Sequence, residues 1–223
     1  MSNAEAEARR LCATWMQRIR ASNAYDSSLY AHFAEDAPIE SIVRFLEWDA
    51  QQPPFHLFLR LWLPKMPAAL RPALQAHIRE EEQEDHAGLF RAMLRALRAR
   101  TQMQPPALDA AQLAKLNHVF SARCAEEETA GYFLGVFVAT EAMSQRRCEE
   151  LYAGLQRLGV SEALDYLKVH AINDADHWRE VVDHLIVPGL VSGSIEAQDV
   201  AAGIEDRLRR SAQYLKWYEA HCI

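Results

Sequence analysis

The sequence predicts an all-α fold, a bundle of roughly seven to eight helices. Helix-favouring residues (Ala, Leu, Glu, Arg and Gln) recur throughout the chain. Glycine (8) and proline (9) are sparse, and no long linker separates two halves. No segment reads as a convincing strand, and no internal period recurs, so the helices are expected to pack as a bundle rather than a solenoid.

The elements follow in order. A first helix covers about Ala4 to Ala21, and a polar turn follows at Asn23 to Ser28. A second covers about Pro38 to Gln51 and ends at Pro53-Pro54, because proline supplies no N–H and clashes with the preceding turn. Phe55 to Trp62 forms a short apolar helix closed by Pro64 and Pro67. One long helix is expected from about Pro67 to Arg100, with Pro105-Pro106 beyond it. Another starts at Asp109 and ends before Gly131. Helices over about Tyr132 to Leu158 and Ser161 to Val187 come next, stopped by Gly159 and by Pro188-Gly189, with Ser161 as the N-cap of the latter. The last runs from about Ile195 to His221.

Half of the 223 residues are hydrophobic, enough to bury a full core, and the chain is read as one domain over 1–223. A net charge of -7 argues against a generic nucleic-acid surface. The four cysteines, Cys12, Cys124, Cys148 and Cys222, form no CxxC pair, which disfavours a zinc ribbon and fits free thiols in a reducing cytoplasm. The N-terminus lacks the apolar stretch of a signal peptide, and Tyr132 to Ala139 is too short to cross a bilayer. The expected partners are therefore a small-molecule substrate and a second copy of the chain, with no nucleic acid and no membrane.

Three helices carry acids and histidines where core residues belong. The first apolar stripe runs through Leu70, Leu74 and Ile78, and resumes at Phe90, Met93 and Leu97. Steps of three and four keep one helix face, so the stripe continues through Glu82 and His86. Four residues are about 40° of rotation, and both side chains reach one point. On a regular helix Glu80, Glu81 and Glu84 point elsewhere, whereas a kink would bring Glu81 inward in place of Glu82.

The second is the nearly all-apolar run before Glu141, with Leu134, Phe137 and Val138 behind it on the same face and Cys148 and Tyr152 ahead. A lone buried carboxylate costs several kcal/mol unless it is paired or metal-bound. Arg146 and Arg147, five and six residues on, sit on another face and make poor partners. The third is His170, Asp174 and His177, whose rotations of about 0°, 40° and -20° place them on one face with Leu167 and Val181. His184 continues that face but reads as surface, as do Glu180 and Asp183.

Together the helices offer three carboxylates and three imidazoles, a donor set suited to two ferrous or manganous ions. Zinc is a poorer fit, since its structural sites take four ligands and often thiolates, and no cysteine joins the set.

These residues resemble the heme-oxygenase-like di-iron oxidases and oxygenases. That family takes ligands from a Glu followed by a His on one core helix, a Glu on a later helix, and an HxxxDxxH motif on the next. This chain has Glu82 and His86, then Glu141, then His170-Ala-Ile-Asn-Asp174-Ala-Asp-His177. The interval from Glu82 to His86 is short for the family. The resemblance implies a seven- to eight-helix heme-oxygenase-like bundle without heme. It implies two Fe(II) ions, with Mn as an alternative, and O2 as cosubstrate. It implies N-oxygenation, C–C cleavage, or desaturation and decarboxylation of an amino or fatty acid. Glu141 is the candidate bridging carboxylate, and Phe133, Phe137 and Trp178 are candidates for the wall of an apolar cavity.

A ferritin-like di-metal bundle would carry two Glu-x-x-His pairs, and the chain has none. A true heme oxygenase needs a histidine near the first helix, where the earliest is His32. The alternative functions are a cofactor-less enzyme of this fold, of the thiamin-degrading or quinone-cofactor type, and a non-catalytic metal-binding helical protein. No basic cluster marks the substrate site; Arg60, Arg71 and Arg79 are the candidate anchors.

Overall fold

Helix α1 (Asn3–Arg20) starts where the Ser2 hydroxyl accepts from the Glu5 N–H, and its last turn holds Arg18 and Arg20. Both features complement the helix dipole. In this computed structural model the described residues are 2–52, 55–83, 85–104, 128–173 and 177–222. Helix α2 (Ser28–Glu35) was not expected. Ser27 caps it through the Leu29 N–H, and burial of Leu29, Tyr30 and Phe33 supplies the tertiary packing that stabilises so short a helix. Helices α3 (Ile39–Asp49) and α4 (Phe55–Trp62) fall where the prolines set them.

The single long helix expected from Pro67 is two. Helix α5 (Arg71–Gln83) stops, Asp85 adopts a left-handed backbone (φ 48°), and α6 (His86–Thr101) restarts. The Asp85 carboxylate accepts from the Gly88 N–H at 3.0 Å and caps α6. A Cβ on residue 88 would lie 1.9 Å from Asp85 Oδ2, so a larger residue there would displace the capping carboxylate. The helix expected to start at Asp109 lies outside the described residues for nearly all its length.

The centre of the fold is α7 (Ala130–Arg157), in which every residue from Gly131 to Thr140 is buried. Its principal neighbours are α2 and the last helix, α11 (Ala197–Cys222). Added Cβ atoms at Gly135 and Gly203 would each lie 2.0 Å from a backbone oxygen of the facing helix, so these two glycines set how closely α7 and α11 approach.

Between α7 and α11 the expected continuous helix is broken into pieces. Ala163 takes a left-handed φ of 59°, and α8 (Asp165–Lys168) begins only after Leu164. Ser161 is not its cap; the Ser161 hydroxyl engages Glu162 Oε2 instead. A π-helical turn at Val169–Asn173 follows, then α9 (His177–Val181), a second π-helical turn (Val182–Ile186) and α10 (Val187–Ser192). Pro188 does not stop the chain. It sits in the first turn of α10, where the missing N–H costs nothing, and Gly193 (φ 67°) ends the helix.

The described residues contain no strand, and no helix among them is long and apolar enough to cross a membrane. The core divides along α7. One apolar cluster takes its first half, from Phe133 to Met143, with α1, α4 and α5. The other takes Cys148, Leu151 and Leu155 with α2, α3 and α6. Glu141 stands close to this division, where five elements bring polar side chains inward.

Candidate metal centre

Helix α5 contributes His77 and Glu81, one turn apart and both buried. The break after α5 places His86 at the start of α6, also buried. Glu141 comes from the middle of α7, His170 from the first π-helical turn, and His177 from the start of α9.

These six side chains converge. A ring nitrogen of His77, a carboxylate oxygen of Glu81 and a ring nitrogen of His177 lie within 4.8 Å of one another. Glu141 spans two histidines, with Oε1 3.8 Å from His77 Nε2 and Oε2 3.9 Å from His177 Nδ1. Glu81 Oε2 is 3.1 Å from His86 Nδ1. The rings pair as His77 with His177, centroids 5.2 Å apart, and His86 with His170, 4.6 Å apart. Glu81 belongs to both pairs.

The electrostatics of the cluster are those of donors gathered before a cation. Burial, and then the positive potential of His86, push the His170 imidazole down to about 3, so it is neutral and offers a lone pair near neutral pH. Burial disfavours the Glu81 carboxylate, but the His86 hydrogen bond and the surrounding histidines outweigh it and hold Glu81 below the usual range. Burial likewise disfavours a charged His77, and Glu141 followed by Glu81 holds it above its ordinary value.

One observation tests whether these residues fit an iron site. His77 Nε2 is buried without a hydrogen-bond partner among the described residues. Such an orphan costs about 1–3 kcal/mol. At 3.8 Å, Glu141 is too far to satisfy it by a hydrogen bond. A cation bound by both groups would satisfy both. Nitrogen and carboxylate oxygen are donors that iron accepts, so the set fits.

The sequence-predicted residues fare differently. His86, Glu141, His170 and His177 are brought together. Asp174 lies outside the described residues. The inward position expected for Glu82 belongs to Glu81, since Glu82 turns outward to pair with Arg60 at 2.5 Å. The cause is helical drift on α5, which is regular through Gln83: steps of four each advance about 40°, so Glu82 lies about 80° from Leu74 on that face and Glu81 only about 20°. His77 was missed, although its place one turn before Glu81 and beside Ile78 of the apolar stripe was visible in the sequence. His184 is exposed, as its reading as surface required. Arg146 pairs with Glu150, and Arg147 with Asp49 at 3.1 Å, so neither explains Glu141.

A cavity of about 310 Å³ adjoins the cluster, and Glu81, His86, Glu141 and His170 form part of its wall. The aromatic wall expected from Phe133, Phe137 and Trp178 is elsewhere. Phe133 stacks on Trp62, Phe137 packs against the His77 ring, and Trp178 lies under Arg20 and Arg179. Phe90 and Tyr166 take that place, with the Tyr166 ring 4.5 Å from the His170 ring. None of the expected anchors Arg60, Arg71 and Arg79 lines the cavity. Arg60 is held by Glu82, and Arg71 by the Met66 and Pro64 carbonyls.

A family model described as iron-containing redox enzyme matches residues 52–212, a span that takes in the whole cluster. No curated protein matches the chain. With an all-helical fold, a buried His/Glu cluster and a family match over most of its length, the chain belongs to the heme-oxygenase-like family of iron-containing redox enzymes.

Proposed function

We propose that this oxidoreductase is a non-heme di-iron oxidase or oxygenase that uses O2 to oxidise a small-molecule substrate. The observation that carries the reading is the division of four histidines, three buried and His170 partly so, into two ring pairs, with Glu81 belonging to both and Glu141 reaching from His77 to His177. One ion alone would leave one of the pairs without a role.

His77, His177 and Glu141 would hold one ion and His86 and His170 the other, with Glu81 within reach of both groups. Asp174 would join them by its place in the HxxxDxxH motif. The three carboxylates offset most of the charge of two dications. Bound there, ferrous ions supply the electrons and the open coordination positions that dioxygen activation requires. Manganese fits the same donors.

The protein's own residues do the rest. Burial keeps His170 neutral, so it binds without first losing a proton. Phe90, Leu94 and Met143 in the cavity wall exclude water from the reacting region. Burial holds the Tyr166 hydroxyl well above its ordinary range, so it keeps its proton, and its ring packs against that of His170.

Anaerobic titration with Fe(II) tests this reading. It predicts saturation at about two ions per chain, followed by oxygen uptake and a transient visible absorption on exposure to O2. His86→Ala, Glu141→Ala and His177→Ala should each lose iron while far-UV helicity is retained. Unchanged iron stoichiometry in all three variants rejects the site.

A further inference from the structure

Two further carboxylates stand at the outer edge of the metal centre. Glu80 follows His77 on α5 by three residues, and Glu180 follows His177 on α9 by three. A ring nitrogen of His77 and one carboxylate oxygen each of Glu80 and Glu180 lie within 4.8 Å of one another. His77 therefore belongs to two groups of donors. With Glu81 and His177 it forms an inner group, all three buried. With Glu80 and Glu180 it forms an outer one, in which Glu80 is partly exposed and Glu180 exposed. On a regular helix Glu80 and Glu81 lie about 60° and 40° to either side of His77, so the imidazole stands between them.

Three observations separate the outer group from an ordinary solvated acidic face. The first is His77, which is only 6% exposed and whose Nε2 has no hydrogen-bond partner among the described residues. Acids at a surface need no such histidine beneath them. The second is charge. Arg79 and Arg179 adjoin the two glutamates in sequence, yet neither Glu80 nor Glu180 forms an ion pair with an arginine or lysine among the described residues. Two carboxylates this close repel each other, and a dication between them turns repulsion into attraction. The third is access. Glu81, His86, Glu141 and His170 line the cavity of about 310 Å³, whereas His77, Glu80, His177 and Glu180 do not. Glu80 instead lines a separate surface depression with Ala76, Arg79 and Gln83. Arg79 brings a single positive charge there against two carboxylates.

We propose that Glu80, Glu180 and His77 form a loading site for divalent metal ions, through which the buried centre fills. The solvent-facing carboxylates capture the ion, and His77 passes it inward to Glu81, Glu141 and His177. Only coordination bonds change: the ion exchanges one pair of carboxylates for another while the imidazole stays within reach. No step leaves a bare dication in the apolar core, where its desolvation would be prohibitive. Carboxylate oxygens with one imidazole suit Fe(II) and Mn(II). The assignment rests on the metal-centre reading and adds to it a route for the metal that is separate from the cavity.

The test is the rate of anaerobic Fe(II) uptake by the metal-free full-length protein. An excess of a strong water-soluble chelator is added at set times after mixing, and the iron that stays with the protein after desalting is measured. The double variant Glu80→Gln/Glu180→Gln should load about tenfold more slowly at low salt, and should reach the wild-type iron content in the end. In about 1 M KCl, where the screening length is about 3 Å, a deficit of about threefold or more should persist, because salt does not restore a lost ligand. Glu40→Gln removes an exposed acid on α3 and should load as the wild type does. Uptake by the double variant at the wild-type rate overturns the proposal. So does a deficit that vanishes in 1 M KCl, which is steering by charge alone. So does a lower final iron content, which would make Glu80 or Glu180 a permanent ligand. If the double variant does not fold, Glu180→Gln alone decides by the same comparison, since that side chain is exposed. Wild-type protein that takes up no iron overturns the metal-centre reading and the loading site with it, whereas normal loading of both proteins counts against the loading site alone.

Discussion

Glu81 Oε2 lies 3.1 Å from His86 Nδ1, although the two residues are five positions apart in sequence. On an unbroken helix five positions are about 140° of rotation, which would place them on different faces. The left-handed turn at Asp85 removes that rotation, and the Asp85 cap on Gly88 fixes the restart of α6. Gly88→Ala drives a Cβ into the Asp85 carboxylate and should break this cap. The expected cost is about 1–2 kcal/mol in urea denaturation, accompanied by weaker iron binding than wild type. Iron affinity equal to wild type would show that the turn does not position His86.

Glu81 and its neighbour Glu82 separate the two readings of the acidic run. Glu81→Gln should lose iron with little change in helicity. Glu82→Gln breaks only a partly exposed pair with Arg60, worth about 0–1 kcal/mol, and should keep full iron content. Metal analysis of the two purified variants decides between them, and the opposite outcome would restore the sequence-based choice.

His77→Ala should also lower iron content, because His77 Nε2 is a buried nitrogen without a hydrogen-bond partner among the described residues, close to Glu81, Glu141 and His177. Its fold should survive: losing the unmet Nε2 removes a penalty as well as packing. A variant with wild-type iron binding would place His77 outside the centre.

Away from the site, Glu47 is fully buried and receives both the Nε and an Nη of Arg98. Arg98→Ala strands that charge and should destabilise the protein by about 2–3 kcal/mol, discounted because the guanidinium is partly exposed. Replacing both residues with leucine should recover most of the loss. The check is the denaturation midpoint of the single and double variants.

Burial pushes the Cys12 and Cys148 thiols up to about 11. At pH 8 both should therefore resist thiol reagents in the native state and react on unfolding. A folded-state pKa raised above the unfolded value contributes stability that is complete below the unfolded value, near 8.5–9, and is lost as pH rises toward 11. The melting temperature of the metal-free protein should accordingly fall above about pH 9 on account of these groups, and Cys148→Ala should make that decline shallower.

Much of this was legible in the sequence because it depends on local rules. Helix α4 and the flanks of α3 follow from proline, which forbids the next hydrogen bond wherever the chain later packs. Glu141 stood out because the run before it is nearly all apolar, and α7 buries every residue from Gly131 to Thr140. His170 and His177 could both be picked out from spacing, although Val169–Asn173 is a π-helical turn and not the α-helix that the spacing assumed.

Sequence alone, then, determined that the chain is helical and that acids and histidines interrupt its apolar stripes, since residue type and period govern both. Only the tertiary structure decided which of them meet. The packing of α5 turned Glu81 rather than Glu82 inward, the turn at Asp85 brought His86 back to Glu81, and the approach of α5 to α7 added His77. Each outcome turns on a rotation or an inter-helix contact between residues far apart in the chain, and nearest-neighbour preferences carry no information about either.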